Sequence, residues 1–513
     1  MIKKILLIQP FSLLDEQLSN ILLTWPIYLE NYLKSKCPNL EFDILYLPVE
    51  QKIGNIKLKS YDIDEIMLFE KQMNYLISKL EFIIDQSVLI CISCTFSSLY
   101  IPTRIIVNYF KKYFYNSIII IGGAHISACN EEFIESKSSV DYIVQGEGEI
   151  PLYKLIKRNP KKRQKPILLR KEIITNLDDL PLIDFSNLSI SKYLKHFSNL
   201  SISLSRGCPY NCHFCMEKTL SCQTKNVKRW RVFSPSRALV EVKNMIRFGS
   251  KFNINEYGFI DSIFGMNKNW LNRFLDLYCF EDYCSNWIET RLDILDEKLI
   301  IKLDKKKFFI MYGLESLSPE ILKIMNKTIT PRNYIEKFWE ILNIHKKLDN
   351  VCAINIIISH PGETEKSIKE TFQGLEKIVM DEQIDKIYLN IRYYHNYPGT
   401  FVYNNINHFN EKYGTKAYPL SINWWRSTNL EIQKYGPFCV RPSKKLSLRQ
   451  SIDRFFGNYF KLNEINIKKL KNNKLDNKSY IQKILTIKKT NYRLEKLNNE
   501  ITNFLNVNQI EVI

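Results

Sequence analysis

The chain has 513 residues, 45% of them hydrophobic, and a formal net charge of +19. That length is enough for two or three domains with a sizeable core, and no run of about 18 apolar residues exists to span a bilayer. Its twelve cysteines are scattered without an evident pairing pattern, which suits a reducing compartment better than a disulfide framework. The first residues turn polar at Gln9-Pro10, too early for a secretory h-region, so a soluble, cytoplasmic protein is expected. From Arg441 onward 16 Lys/Arg face 6 Asp/Glu, so much of the charge excess lies at the C-terminus. It reads as a solvated basic surface, or alternatively as a site for a polyanion or acidic peptide.

Residues 1–155 alternate short apolar runs with helical patterns, which predicts an α/β domain with a doubly wound parallel sheet. Strands are expected at 4–8, 42–47, 88–93, 117–121 and 142–144, and helices at 18–34, 70–85 and 101–113. Ligands in such sheets sit outside the carboxyl ends of the strands. Three polar or glycine-rich elements fall there: Ser93-Cys94-Thr95, Gly122-Gly123-Ala124-His125, and Gly146-Glu147-Gly148-Glu149. Cys91 and Cys94 are expected in the core. Residues 156–200, with a basic run at 157–165, read as a connector.

Next comes Arg206-Gly207-Cys208-Pro209-Tyr210-Asn211-Cys212-His213-Phe214-Cys215, whose CxxxCxxC spacing folds three thiols around one centre. A cubane iron–sulfur cluster normally takes four thiolates, so three leave one iron open to another ligand. The alternatives are a zinc site or three buried thiols, although zinc sites pair CxxC with a second Cys/His pair and none follows here. From 201 to 400 the alternation resumes as six units, with strands at 202–204, 257–260, 287–291, 308–314, 353–358 and 386–392, too few for a full barrel of eight. Chemistry-bearing residues stand at the strand ends: Asp261, Arg291, Glu315-Ser316, His360-Pro361-Gly362-Glu363-Thr364 and Pro398-Gly399-Thr400. Singly, each has an ordinary structural reading, such as a turn entering a helix capped by Thr364. Residues 401–513 read as an aromatic-rich cap followed by basic amphipathic helices, with Ile452, Phe455, Phe456 and Tyr459 at helical spacing. Cys222, Cys279, Cys284, Cys352 and Cys439 are too dispersed for a second cluster.

In this chain order the motifs resemble the cobalamin-binding-domain-containing radical S-adenosylmethionine (SAM) family, and in particular its class B methyltransferases. The resemblance implies an open six-unit (β/α) partial TIM barrel behind the N-terminal domain. It also implies a [4Fe–4S] cluster on Cys208, Cys212 and Cys215, and SAM held by Phe214, Asp261, Arg291, Glu315, Ser316, His360 and Pro361. Cobalamin is implied at Ser93, Thr95, Gly122, Gly123, His125, Gly146 and Glu147. One departure stands out: Asp15 is followed by Glu16 and Gln17, so the DxHxxG histidine that ligates cobalt in many cobalamin proteins is missing. The implied reaction is C-methylation of an unactivated carbon in a natural product or ribosomal peptide, with electrons from a flavodoxin or ferredoxin. Cobalamin-assisted cyclisation or rearrangement is the alternative within the family, and nucleic-acid modification the alternative outside it, although no RNA-recognition motif is present.

Overall fold

The computed structural model describes residues 2–85, 87–135, 140–220, 228–280, 284–381, 386–472 and 477–511, which places Cys222 outside the described residues. Six parallel strands form the N-terminal sheet: β1 Lys4–Gln9, β2 Glu41–Tyr46, β3 Val88–Ser93, β4 Ile118–Gly122, β5 Tyr142–Val144 and β6 Ile167–Leu169, in the order β2-β1-β3-β4-β5-β6. The central strands are apolar because helices cover both faces; every residue of β3 is buried. β6 lies in the segment expected to be a connector. It adds parallel to β5 at the sheet edge with two of its three residues exposed, so it carries no burial pattern to read.

Helices occupy Trp25–Lys36, Ile63–Ile77 and Tyr100–Tyr113. The second starts before the expected 70–85 span, with Asp64 and Glu65 in its first turn, where carboxylates suit the positive helix end.

The second sheet is also six-stranded and parallel: β7 Leu200–Ile202, β8 Glu256–Phe259, β9 Ser285–Arg291, β10 Phe308–Glu315, β11 Cys352–Ile358 and β12 Ile387–Tyr393. Each strand pairs with the next, and β7 and β12 are left as edges, so the barrel is open. A register shift at Gly313/Glu315 breaks β10 as it reaches its carboxyl end. The Glu365–Met380 helix begins with Thr364 accepting from the Ser367 amide, the cap expected for that turn.

Two long C-terminal helices, Leu448–Asn472 and Asn477–Val507, pack on each other, and the first lies on Glu365–Met380. Ile452, Phe455 and Phe456 are buried there. Trp424 and Trp425 are core residues packed into the apolar layer of the N-terminal sheet. No helix among the described residues is long and apolar enough to cross a membrane.

Candidate functional site

The cysteine loop leaves the carboxyl end of β7 through a short ribbon in which Ser205–Arg206 pairs antiparallel with Arg231–Val232. Gly207 then turns the chain at φ +84, where a Cβ would stand 1.9 Å from the Arg229 carbonyl oxygen, so only glycine fits. His213 docks the loop: its amide donates to the Met325 carbonyl at 2.8 Å, its Nδ1 lies 2.7 Å from the Ile324 carbonyl, and its ring stacks 4.2 Å from Phe401.

Cys208, Cys212 and Cys215 are half-buried. Burial pushes the thiols up, Cys208 to about 11 and Cys215 to about 12; Cys208 also feels the charge of Cys212, and Cys215 that of both others, so the three face one space. Lys327 and Arg291 are the cations that face Cys212 against its own burial, and the Glu217 amide lies 3.5 Å from Cys215 Sγ. Cations and N–H donors favour thiolate over thiol. A structural zinc takes four protein ligands, whereas three cysteines leave a cubane cluster with one iron open. The donor set fits an iron–sulfur cluster better than a single ion.

Arg291 ends β9 beside this loop. Its guanidinium lies 3.8 Å from the Tyr210 ring centroid, with Nη1 4.0 Å from Cys212 Sγ. Nε and Nη2 form a bidentate pair with Asp293, both contacts at 2.8 Å. Glu315, at φ +72, pairs with the buried Lys327 at 2.9 Å. Ser316 turns to the helix behind it, its hydroxyl 2.9 Å from that of Thr371. Asp261 also turns inward: fully covered, it accepts from the Leu204 amide at 3.2 Å and from the Ser205 hydroxyl, and burial pushes its carboxyl up to about 7. It anchors the root of the cysteine loop. His360 is buried against Phe214, Tyr394 and Phe409, with Nδ1 2.8 Å from the Pro361 carbonyl oxygen. Burial lowers its imidazole to about 3, so it is neutral. Pro361 is buried beside it.

On the N-terminal side, a cavity of ≈ 270 Å³ opens at the carboxyl ends of β3, β4 and β5, walled by Trp25, Tyr28, Ser93, Gly122, Gly123 and Gly146, with Glu147 and Arg206 at its rim. A second space of ≈ 270 Å³ shares Gly123, Gly146, Glu147, Ser203 and Arg206 with it and reaches Gly207, Glu217 and Ser262. Gly123, at φ +104, lets β4 pass close to the Cys94 carbonyl oxygen, 2.6 Å from where a Cβ would be. Cys91, expected as plain core, also lines the cavity. Thr95 does not; its hydroxyl supports Ser93 at 3.2 Å. His125 does not line it either, because its fully covered ring turns toward Ser97, Tyr100 and Trp425.

Glu147 does more than line the space. It pairs with Arg206 at 3.0 Å and with Arg231, tying the N-terminal sheet to the ribbon that carries the cysteines. Sequence reasoning missed Arg206, Arg231, Lys327 and Asp293. Their partners lie far away in sequence, except for Asp293 two residues beyond Arg291, so no local pattern marks them.

Residues 202–375 match the family model of the radical SAM superfamily. The chain is 26% identical over 365 residues to an uncharacterized methyltransferase of Pyrococcus horikoshii, covering 66% of this chain and 72% of that one. It is 23% identical over 289 residues to the anaerobic magnesium-protoporphyrin IX monomethyl ester cyclase of Cereibacter sphaeroides, covering 50% of this chain and only 44% of the relative. Its fold is similar to that of the radical SAM methyltransferase TsrM from Kitasatospora setae, solved with cobalamin and a [4Fe–4S] cluster bound; the TM-score is 0.55 at 14% identity, over 76% of this chain and 72% of that one.

Proposed function

We infer that this chain, which carries a radical SAM domain over residues 202–375, is a cobalamin-dependent methyltransferase acting on an unactivated carbon of a natural product or ribosomally made peptide. One observation carries the reading. The cavity beneath Gly122 and Gly123 and the space that reaches Gly207 share five wall residues, so a ligand seated on the N-terminal sheet would extend to the cysteine loop. The glycines leave room for the nucleotide tail of a corrinoid, and Ser93 offers it a hydroxyl. The methyltransferase names of two of the similar proteins support the same reading.

Bound in these places, the cluster supplies an electron for reductive cleavage of SAM, and cobalamin supplies a transferable methyl group. The chain's own residues bind, orient and exclude water. Cys208, Cys212 and Cys215 hold the cluster, and Arg291 presents its Nη1 edge for the SAM carboxylate while Asp293 fixes the rest of the fork. Glu315, shared with Lys327, is the acceptor for the SAM ammonium, and Phe214, His360 and Pro361 form an apolar wall. Asp261 and Ser316 hold the scaffold behind them. Keeping that space dry and ordered matters, because oriented reactions gain effective molarities of about 10⁵–10⁸ M.

The test is anaerobic reconstitution with iron, sulfide and hydroxocobalamin, followed by addition of SAM and reductant. One cluster and one cobalamin per chain are expected, and alanine at all three cysteines should remove the cluster and SAM cleavage together. Formation of S-adenosylhomocysteine supports methyl transfer. Uptake of cobalamin with 5′-deoxyadenosine as the sole SAM product favours cyclisation or rearrangement without methyl transfer, the first of these being the reaction named for the similar cyclase. A chain that takes up no cobalamin ends the methyltransferase reading.

A further inference from the structure

His125, Cys129 and Glu132 form a second donor cluster, separate from the cysteine loop. All three are buried, with relative exposures of 0%, 5% and 8%. One donor atom from each lies within 4.8 Å of the other two. The local fold explains the convergence. His125 sits in the short helix Ala124–Ala128, and the Cys129 amide donates to the His125 carbonyl at 2.9 Å, so the two side chains stand one turn apart on the same face. Glu132 follows in the first turn of Glu131–Glu135.

Two of these residues have one polar atom held by the protein and one left over. The His125 Nδ1 lies 3.0 Å from the Ser97 hydroxyl, which fixes the ring, while Nε2 has no partner. The Glu132 Oε1 accepts from Trp425 Nε1 at 2.9 Å and from Arg426 at 3.1 Å, while Oε2 has no partner. Unpaired polar atoms in a covered site are costly, and a ligand that accepts their lone pairs removes the cost. The Ser97–His125 and Trp425–Glu132 contacts are the kind of outer hydrogen bonds that orient metal ligands.

We propose that His125, Cys129 and Glu132 bind one zinc ion, independently of the iron–sulfur site, and that the ion fastens the Trp425-Arg426 segment to the N-terminal domain. One nitrogen, one sulfur and one oxygen donor select a borderline divalent ion over calcium or magnesium, which take oxygen ligands. Thiolate and carboxylate balance the ion's charge, and Arg426 remains on the outer carboxylate oxygen, its side chain 48% exposed. Zinc is held by the thiolate form of Cys129, so its binding releases the thiol proton to solvent.

The experiment measures zinc by mass spectrometry in full-length protein after addition of zinc sulfate and desalting. About one zinc per chain is expected, and it should persist when Cys208, Cys212 and Cys215 are all replaced by alanine, which separates this site from the cluster. Cys129→Ser and His125→Ala should each weaken zinc binding by at least about 100-fold in competition with a chromophoric chelator, and Glu132→Gln, which keeps an acceptor for Trp425, by about tenfold or more. Cluster content of the same variants reports folding, and the chelator titration of the unaltered protein stands even if a variant fails to fold. Zinc below about a tenth of an equivalent in the unaltered protein, or zinc retained in well-folded Cys129→Ser, overturns the proposal.

Discussion

Arg206 and Glu149 meet at 2.7 Å across the boundary between the two sheets, the arginine on the ribbon that leads into the cysteine loop and the glutamate at the start of the Glu149–Lys157 helix. Glu147 accepts the other arm of the same guanidinium at 3.0 Å, and Tyr28 covers its face at 4.9 Å. The arginine therefore joins the cysteine loop to the end of β5 as one body.

Replacing Arg206 with alanine leaves Glu149 buried without its cation. Breaking a buried pair from one side costs about 3–5 kcal/mol, and denaturant unfolding of the Arg206→Ala chain should show a loss of that size. Arg206→Lys should recover only part of it, since an ammonium cannot span two carboxylates in a fixed fork. A loss below about 1 kcal/mol would mean that packing and the Arg231–Glu147 pair hold the two sheets together without Arg206.

The sheets were legible from sequence because burial on both faces leaves unbroken apolar runs: Val88–Ser93 and Tyr142–Val144 begin and end where expected. Edge strands lack that signal, and Ile167–Leu169 passed for a connector. The site was legible only in part. A motif gives a residue's place on the chain and not the direction of its side chain. Asp261 and Ser316 stand at strand ends yet turn to scaffold partners, and His125, adjacent to the glycine turn, rotates away from the cavity. Lys327 was invisible because its partner Glu315 lies across a turn and a helix.

Arg291 gives a second test. Its charge is confined beside the cysteine loop by Asp293 and the Tyr210 ring, so Arg291→Ala should weaken SAM binding with cluster content unchanged. Loss of one member of a desolvated charged pair costs about 2–5 kcal/mol, which is about 30-fold or more in affinity. Calorimetry on anaerobic, cluster-loaded protein reads it directly, and unchanged affinity would move the carboxylate contact elsewhere.

Asp261 should leave a signature in the pH dependence of stability. Burial raises its carboxyl from 3.8 to about 7 in the folded chain, so between those values the folded state binds the proton more tightly than the unfolded state. The contribution of this group to unfolding free energy therefore falls as pH rises from about 4 to about 7 and is level above that. From pH 5 to 8 the unaltered protein should lose about 2–3 kcal/mol more than Asp261→Asn, at about 1.4 kcal/mol per pH unit. Parallel profiles for the two chains would show that the carboxyl is ionised in both states across that range.

The adjacent glycines Gly122 and Gly123 separate cobalamin binding from backbone strain. Gly123 lies at φ +104, and a Cβ there would be 2.6 Å from the Cys94 carbonyl oxygen, so any replacement distorts β4 whether or not a ligand binds. Gly122 carries no such restriction. A Cβ on it would meet only Val144, with the nearest atom at 3.4 Å, and both residues line the cavity. Gly122→Leu should therefore keep the fold and the cluster while filling the space needed by the nucleotide tail, and stoichiometric uptake of hydroxocobalamin should be lost. In the unaltered protein, bound cobalamin should show no histidine ligand to cobalt, because the DxHxxG histidine is missing and the buried His125 ring turns away from the cavity toward Ser97 and Trp425. Electron paramagnetic resonance of the cobalt(II) form distinguishes the cases: nitrogen superhyperfine splitting from a histidine would contradict the lower-face expectation, and uptake undiminished in Gly122→Leu would place the cobalamin outside this cavity.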